Sequence, residues 1–207
     1  MIRGLYAITP DEPDTQVLLH KVKQALAGGA RLLQYRNKLA DAGLKREQAE
    51  SLAALCRVYG TTFIINDDLP LALEVAAHGV HLGGEDGDLA KARRLLGPDR
   101  LLGASCYNSL DLAIAARAAG ASYVAFGAAF TSLTKPGAVN APLELYRQAQ
   151  TEIGLPIVAI GGITLQNVAA LVAAGVDAVA VITALFNEPD IETAARNFAA
   201  FFVKHSQ

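Results

Sequence analysis

The chain alternates short apolar segments with amphipathic helical stretches, and it does so eight times in 207 residues. The apolar segments have the length and unbroken hydrophobicity of strands buried on both faces of a parallel sheet. We expect strands at 5–8, 31–35, 62–66, 79–82, 101–105, 122–126, 157–160 and 178–181. Helical patterns rich in Ala and Leu lie between them, for example at 16–27, 44–59, 110–119 and 165–174. Such alternation is typical of an α/β protein.

Glycines mark the ends of several predicted helices, at Gly28, Gly60, Gly120 and Gly175. Glycine tolerates the left-handed backbone that ends a helix, and each following strand starts within a few residues. Eight strand–helix units in a chain of this length predict a single (β/α)8 TIM barrel over residues 1–207. A doubly wound open sheet with fewer strands is the alternative, and the strand number favours the barrel.

The composition excludes several classes of protein. Hydrophobic residues make up 52% of the chain, which excludes disorder, and the net charge of −2 offers no general attraction for nucleic acid or an anionic membrane. Apolar stretches are interrupted before membrane-spanning length, and the amino terminus lacks a secretory-type apolar region. Two cysteines are too few for a disulfide scaffold. We therefore expect a cytoplasmic protein with small-molecule partners, and a homo-oligomer is possible.

Carboxylates follow two neighbouring predicted strands. Asp67 comes directly after strand 3 and Asp86 shortly after strand 4. Adjacent parallel strands end at the same edge, about 4.8 Å apart, so the two carboxylates can share a hard cation such as Mg²⁺. Asp also favours helix N-caps, a role that we assign to Asp68 and that stays open for Asp86. A shared Mg²⁺ suggests a phosphate-bearing substrate.

Polar groups that suit a phosphorylated heterocycle follow strands 2 and 3. Gln34, Arg36 and Lys38 form one cluster, in which Arg offers a planar fork and Lys a compact charge. Asn66 can both donate and accept hydrogen bonds. A solvated loop has the same composition, so the interpretation depends on these residues facing Asp67 at one edge.

The central strands do not favour nucleophilic catalysis. A lone strand residue such as His81 is more typical of a packed, hydrogen-bonded side chain than of a catalyst. Ser105 ends strand 5 and can donate to a phosphate, whereas Cys106 is equally suited to the core. No spacing typical of a zinc site occurs, and the order of residues supports no Ser–His–Asp arrangement.

Two further regions suit anions. The long loop 131–138 contains Ser132, Thr134 and Lys135 and can act as an anion cradle and lid, although a flexible surface loop has similar composition. Gly162 follows strand 7 and Thr183 follows strand 8, where barrels of this kind usually bind phosphate through backbone N–H groups.

Together these motifs resemble the thiamin phosphate synthase family over nearly the whole chain. The resemblance rests on the order and spacing of segments 5–9, 34–38, 65–68, 81–86, 103–105, 134–136, 160–163 and 181–183. It implies a (β/α)8 barrel that joins 4-amino-2-methyl-5-hydroxymethylpyrimidine diphosphate to a thiazole phosphate, giving thiamin monophosphate and pyrophosphate. In the family the diphosphate leaves first, and the thiazole nitrogen then captures a pyrimidine-methyl cation.

The resemblance also implies residue roles. The pyrimidine diphosphate would be held by Gln34, Arg36, Lys38 and Asn66, and Mg²⁺ by Asp67 and Asp86. The pyrophosphate would contact Ser105 and Lys135, which with Arg36 form the implied catalytic set. The thiazole phosphate would be held by Ser132, Thr134, Gly162, Ile182 and Thr183.

The chain departs from the common family pattern at a few positions. Gly84 stands where Gln is frequent, Thr131 and Ser132 where Pro-Thr is usual, and Thr183 where Ser is frequent. The hydroxyl changes preserve donors, whereas the sequence does not say what replaces the side chain missing at Gly84. Two alternatives remain: a thiazole tautomerase, which would not need the charged residues at 36, 38, 67, 86 and 135, and a non-catalytic phosphate-binding barrel.

Overall fold

The computed structural model describes residues 1–84, 87–130 and 140–203. Eight strands occur in these residues: β1 Gly4–Ile8, β2 Leu32–Tyr35, β3 Thr62–Asn66, β4 Gly79–Leu82, β5 Leu101–Tyr107, β6 Tyr123–Phe126, β7 Ile157–Ile160 and β8 Ala178–Val181. The helices are α1 Thr15–Ala27, α2 Ala42–Tyr59, α3 Leu69–Glu74, α4 Leu89–Leu96, α5 Leu110–Ala118, α6 Leu143–Glu152, α7 Val168–Ala173, α8 Thr183–Phe186 and α9 Ile191–Val203.

The strands pair in parallel in chain order, and β1 also pairs with β8, which closes the sheet into a barrel. This confirms the predicted (β/α)8 fold. Every strand therefore ends at the same rim, and the registers fix which rim residues are neighbours. Asn66 of β3 pairs with His81 of β4, and Ile160 of β7 pairs with Ala180 of β8.

Two apolar layers form the core. Outside the barrel, strand residues such as Leu33 and Val124 pack against the helices. Inside it, a smaller cluster includes Ile2, Leu32 and Ile64 together with the rings of Tyr6 and Tyr123. Because both faces of the strands are buried, the strands have the continuous apolar character that predicted them.

Asp and Ser side chains fix the starts of the helices. Asp14, Asp41, Asp88 and Ser109 accept hydrogen bonds from first-turn N–H groups of α1, α2, α4 and α5. Asp68 does the same for α3, which confirms its predicted role. Since Asp88 caps α4, the N-cap role that stayed open for Asp86 is filled by another residue.

Several predicted boundaries are wrong by one to three residues, and two of the differences have a clear structural cause. The helix expected from residue 165 begins at Val168, because Asn167 folds the preceding segment into a turn: its Oδ1 accepts from Thr164 N at 2.8 Å. The strand expected to end at Ser105 continues to Tyr107, after a register shift against β6.

Gly103 of β5 is required by close packing inside the barrel. A Cβ at this position would overlap the Tyr123 phenol and His81 Nδ1. We expect Gly103→Ala to lower the free energy of unfolding by about 1–3 kcal/mol, the usual cost of overpacking. Urea unfolding measures this. The matched control is Gly43→Ala on α2, where the nearest atom to the new Cβ is Asp41 Oδ1 at 3.4 Å, and equal stability of the two variants would contradict the prediction.

Candidate active site

The rim at the carboxyl ends of the strands collects the predicted site residues that the structure describes. Gln34 lies near the end of β2, Asn66 ends β3 and Ser105 lies near the end of β5. Gly162 and Ile182 follow β7 and β8. Four other predicted residues lie outside the described residues, so their placement stays a prediction: Asp86, Ser132, Thr134 and Lys135.

Arg36 and Lys38 lie on a loop that is tied to the residues after β1. The Thr9 hydroxyl donates to Arg36 O at 2.8 Å and accepts from Arg36 N at 2.9 Å. The Asp11 carboxylate accepts from Arg36 Nη1 at 3.3 Å through each oxygen, and from Lys38 N at 2.7 Å. The guanidinium is thus held in place by the fold itself. The sequence does not single out Asp11, although it is the first carboxylate after β1, at the edge where the others gather.

Buried amides hold the same loop from beneath. Asn37 Nδ2 donates to Glu12 O at 2.9 Å and to Gln48 Oε1 at 3.1 Å. Gln48, fully buried, donates to the same Glu12 carbonyl at 2.8 Å and accepts from the Tyr35 hydroxyl at 2.9 Å. Burial raises the pKa of Tyr35, which keeps this hydroxyl a donor. The loop is therefore well suited to preorganise Arg36.

Asp67 follows β3 in a left-handed backbone conformation, with φ of 62°. Asp and Asn adopt this conformation more readily than most residues. Its N–H donates to His81 O at 2.8 Å, and its Oδ2 accepts from Asn66 Nδ2 at 2.5 Å. Neighbouring Asp68 is the N-cap of α3, so Asp67 is the carboxylate of this pair that is available to bind a ligand at the rim.

A cavity of about 330 Å³ opens between the loops after β2 and β3. Its lining includes the cationic side chains Arg36, Lys38 and Lys45, together with Asn66 and Asp67. Three cations in one cavity suit a ligand with several negative charges, such as a diphosphate. The sequence does not single out Lys45, because a Lys in the first turns of a helix is typical of a solvated surface.

The loops after β7 and β8 lie side by side, since the β7–β8 register continues towards Gly162 and Ile182. Gly161 and Gly162 both have positive φ, 98° and 64°, which side chains rarely allow. Asn167 braces this turn by donating to Gly162 O at 2.9 Å. The half-buried Ile182 and the exposed Thr183 begin α8 beside it. The arrangement suits an anion held by backbone N–H groups.

A chain of buried hydrogen bonds crosses the barrel interior and joins two predicted site residues. Gln34 Nε2 donates to the Tyr6 hydroxyl at 2.9 Å, which lies 2.9 Å from the Tyr123 hydroxyl. Tyr123 is 3.1 Å from His81 Nδ1, and His81 Nε2 is 2.9 Å from Ser105 Oγ. His81 thus has the hydrogen-bonded, 7% exposed environment expected of a packed strand histidine. The sequence does not identify Tyr6 and Tyr123 as members of this hydrogen-bond chain. Their only signal in the sequence is a polar hydroxyl in an otherwise apolar strand.

The structure explains why Gly84 needs no side chain. A Cβ on Gly84 would lie 3.2 Å from Tyr107 Cε2, so the tyrosine ring already occupies that space. The Tyr107 hydroxyl also accepts a hydrogen bond from Gly84 N at 3.2 Å. Tyr107 therefore covers the start of the loop after β4 in place of a residue 84 side chain.

The closed barrel, with polar groups gathered at the carboxyl ends of its strands, defines the class: a (β/α)8-barrel enzyme. The sequence model of the thiamine monophosphate synthase family matches residues 5–185. The chain is 56% identical over 201 residues to thiamine-phosphate synthase of Methylobacillus flagellatus, covering 97% of this chain and 96% of the relative. It is 53% identical over 202 residues to that of Thioalkalivibrio sulfidiphilus, with 97% and 96% covered. The chain belongs to the thiamine monophosphate synthase family.

Solved structures agree with this assignment. Thiamine phosphate pyrophosphorylase from Pyrococcus furiosus superimposes with a TM-score of 0.89 at 33% identity, covering 99% of this chain and 97% of that one. A 3-hexulose-6-phosphate synthase, with a TM-score of 0.70 and 18% identity, shares the fold alone. Among the described helices, none is both long and apolar enough to cross a membrane.

Proposed function

We propose that this protein condenses 4-amino-2-methyl-5-hydroxymethylpyrimidine diphosphate with a thiazole phosphate, or its carboxylated form, to give thiamin monophosphate and pyrophosphate. The observation that carries the proposal is the fixed guanidinium of Arg36 in a cavity shared with Lys38, Asn66 and Asp67. A diphosphate leaving group needs such a group of positive charges. The match of residues 5–185 to the family model supports the same reaction.

Gln34 suits recognition of the pyrimidine. Its Nε2 donates to the Tyr6 hydroxyl, whereas its Oε1 accepts no hydrogen bond from the described residues. Every fully buried side-chain oxygen among these residues has a hydrogen-bond partner, so Oε1 is not fully buried and can be reached by a ligand. An acceptor at this position selects a donor on the ligand, and the exocyclic amino group is the donor of this heterocycle. Asn66 lies at the same rim as a second amide contact.

Arg36, Lys38, Ser105 and Lys135 would hold the diphosphate. Arg36 can bind two phosphate oxygens through its fork, and Lys38 and Lys135 add point charges. The Ser105 hydroxyl bonds His81 Nε2 and can donate its own proton to an anion. As the C–O bond breaks, negative charge grows on the departing diphosphate, so these groups stabilise the transition state more than the ground state.

Asp67 fits one half of a Mg²⁺ site, because its carboxylate lies in the cavity lining beside the phosphate-binding cations. Asp86 is the proposed second ligand. Mg²⁺, when bound, would supply further positive charge to the leaving diphosphate. Asn66 supports the site by donating to Asp67 Oδ2, which orients the carboxylate.

The thiazole phosphate would be held by Ser132, Thr134, Gly162, Ile182 and Thr183. The consecutive positive φ values at Gly161 and Gly162 leave the backbone open to a close phosphate approach. Departure of the diphosphate leaves a pyrimidine-methyl cation, which the ring nitrogen of the thiazole captures with its lone pair. Neither step needs a side-chain nucleophile, and the buried thiols of Cys56 and Cys106, whose pKa burial raises to about 12, are not nucleophiles at neutral pH.

Three features of the proposal concern the whole protein: residues 1–207 act as one catalytic domain, the enzyme works in the cytoplasm, and it can form a homo-oligomer. Free, buried thiols at Cys56 and Cys106 suit a reducing compartment.

The test is an assay of the purified protein with both substrates and Mg²⁺. We expect thiamin monophosphate and pyrophosphate in equal amounts, measured by chromatography and by a pyrophosphate assay. Omitting either substrate, or chelating the metal, should abolish both products. No product from the complete mixture, or turnover of the thiazole phosphate alone, would contradict the proposal, and the second result would favour an isomerase.

A further inference from the structure

We propose that a buried hydrogen-bond chain, the relay Gln34–Tyr6–Tyr123–His81–Ser105, couples recognition of the pyrimidine at Gln34 to recognition of the diphosphate at Ser105. This inference rests on the proposed function and adds positioning residues to it. The chain consists of four consecutive hydrogen bonds of 2.9 to 3.1 Å. Its two ends lie on strands β2 and β5, whose side chains reach the same rim.

The direction of every proton in the chain follows from the first bond. Gln34 Nε2 donates to the Tyr6 oxygen, so the Tyr6 proton is donated to the Tyr123 oxygen. The Tyr123 proton then goes to His81 Nδ1, and the ring proton of His81 lies on Nε2, which donates it to Ser105 Oγ. The Ser105 hydroxyl makes no other hydrogen bond with the described residues, so its own proton is available to an anion.

The opposite orientation of the Gln34 amide reverses the whole chain. If Oε1 accepts from Tyr6, then Tyr6 accepts from Tyr123, Tyr123 accepts from His81 Nδ1, and the Ser105 proton is consumed by His81 Nε2. A ligand donor at Gln34 therefore leaves Ser105 a donor, whereas a ligand acceptor at Gln34 makes Ser105 an acceptor. The amino group of the pyrimidine selects the state in which Ser105 binds an anion.

Burial and close packing keep the hydrogen bonds of the relay in place. Tyr6 and Tyr123 are almost fully buried, and burial raises the pKa of both, so neither hydroxyl loses its proton near neutral pH. The His81 and Tyr123 rings stack with centroids 5.5 Å apart. Gly103 provides the space in which His81 Nδ1 and the Tyr123 hydroxyl meet. With so little free volume, each member keeps the two partners that the relay requires.

A binding experiment on the wild-type protein tests the coupling. Calorimetry measures the affinity of inorganic pyrophosphate with Mg²⁺ in the presence and absence of saturating 4-amino-2-methyl-5-hydroxymethylpyrimidine. We expect the amino compound to tighten pyrophosphate binding by about fivefold or more, within the usual range of coupling between sites. The 4-oxo analogue, which presents an acceptor where the amino compound presents a donor, should leave the affinity unchanged or lower it. Equal effects of the two compounds would overturn the inference.

The Tyr123→Phe variant tests the route. It keeps the ring that stacks on His81 and removes only the hydroxyl, so the two halves of the chain no longer communicate. The tightening by the amino compound should fall to less than about twofold, below the usual coupling range. Tyr6→Phe interrupts the chain one bond away and should have the same effect. Tyr146→Phe is the matched control: it also removes a buried hydroxyl, here bonded to Phe126 O at 3.1 Å outside the barrel interior, and should keep the coupling.

The outcomes separate the two proposals. A wild-type protein that makes thiamin monophosphate but shows no coupling refutes the relay and leaves the function intact. Coupling that persists in both Tyr123→Phe and Tyr6→Phe also refutes the relay. A wild-type protein that neither turns over the substrates nor binds pyrophosphate refutes the proposed function. If both variants fail to fold, the comparison of the amino and oxo compounds on the wild type decides.

Discussion

Asp67→Asn is expected to lower kcat/KM for the pyrimidine diphosphate by about 100-fold at limiting Mg²⁺, which is a loss of about 2.7 kcal/mol of transition-state stabilisation. The substitution removes one charge and one anionic oxygen from the proposed metal site. It keeps the size of the side chain, and Asn tolerates the left-handed backbone at φ of 62°. The fold should therefore survive, and the loss should shrink as Mg²⁺ is raised, because weaker binding is offset by concentration. Steady-state kinetics over a range of Mg²⁺ concentrations measure this.

Asp68→Asn is the matched control, since it makes the same substitution one residue away. Asp68 caps α3 through Leu71 N at 2.9 Å, and Asn caps helices about as well as Asp. The control should keep the wild-type Mg²⁺ dependence. If Asp67→Asn shows an unchanged Mg²⁺ requirement, or if Asp68→Asn is equally impaired, Asp67 is not the metal ligand.

The sequence predicts the barrel because burial of a strand on both faces requires that its residues be apolar. Both faces of each strand are covered, so the strands are continuous apolar runs, and chain-order pairing places every strand end at one rim. From this follows the expectation that Gln34, Asn66 and Ser105 lie at the same end. Arg36 and Lys38 are likewise found in one cavity with Asp67.

Features that depend on which side chain reaches which partner cannot be predicted this way. Asn167 delays the start of α7 through hydrogen bonds to Thr164 and Gly162, three and five residues earlier, although the Ala- and Leu-rich sequence around it predicts a helix. Tyr6 and Tyr123 lie 117 residues apart, and their hydroxyls meet only because the barrel closes. Tyr107 compensates for Gly84 from another strand in the same way. In the two tyrosine cases the deciding contact is tertiary, so no local sequence pattern predicts it.

Arg36→Ala is expected to lower kcat/KM for the pyrimidine diphosphate by about 100-fold to 1,000-fold, the usual cost of removing one preorganised electrostatic contact to a developing charge. The Arg36–Asp11 pair is partly exposed, with side chains 25% and 30% accessible, so its loss should cost the fold only about 0–1 kcal/mol. Catalysis should therefore fall far more than stability. Arg36→Lys should recover only part of the rate, because an ammonium cannot bind two phosphate oxygens through a planar fork.

Kinetics against each substrate, together with urea unfolding, measure these effects. The KM for the thiazole phosphate should be nearly unchanged, because Arg36 lies after β2 and the proposed thiazole site lies after β7 and β8. Arg46→Ala is the control: it also removes an arginine paired with a carboxylate, here Glu74 at 2.9 Å on exposed side chains, and should keep the wild-type rate. An Arg36→Ala enzyme within about threefold of the wild-type rate would place less than 1 kcal/mol of transition-state stabilisation at this guanidinium and exclude it from the diphosphate site. Equal losses in both variants would instead indicate a general effect of net charge on substrate attraction.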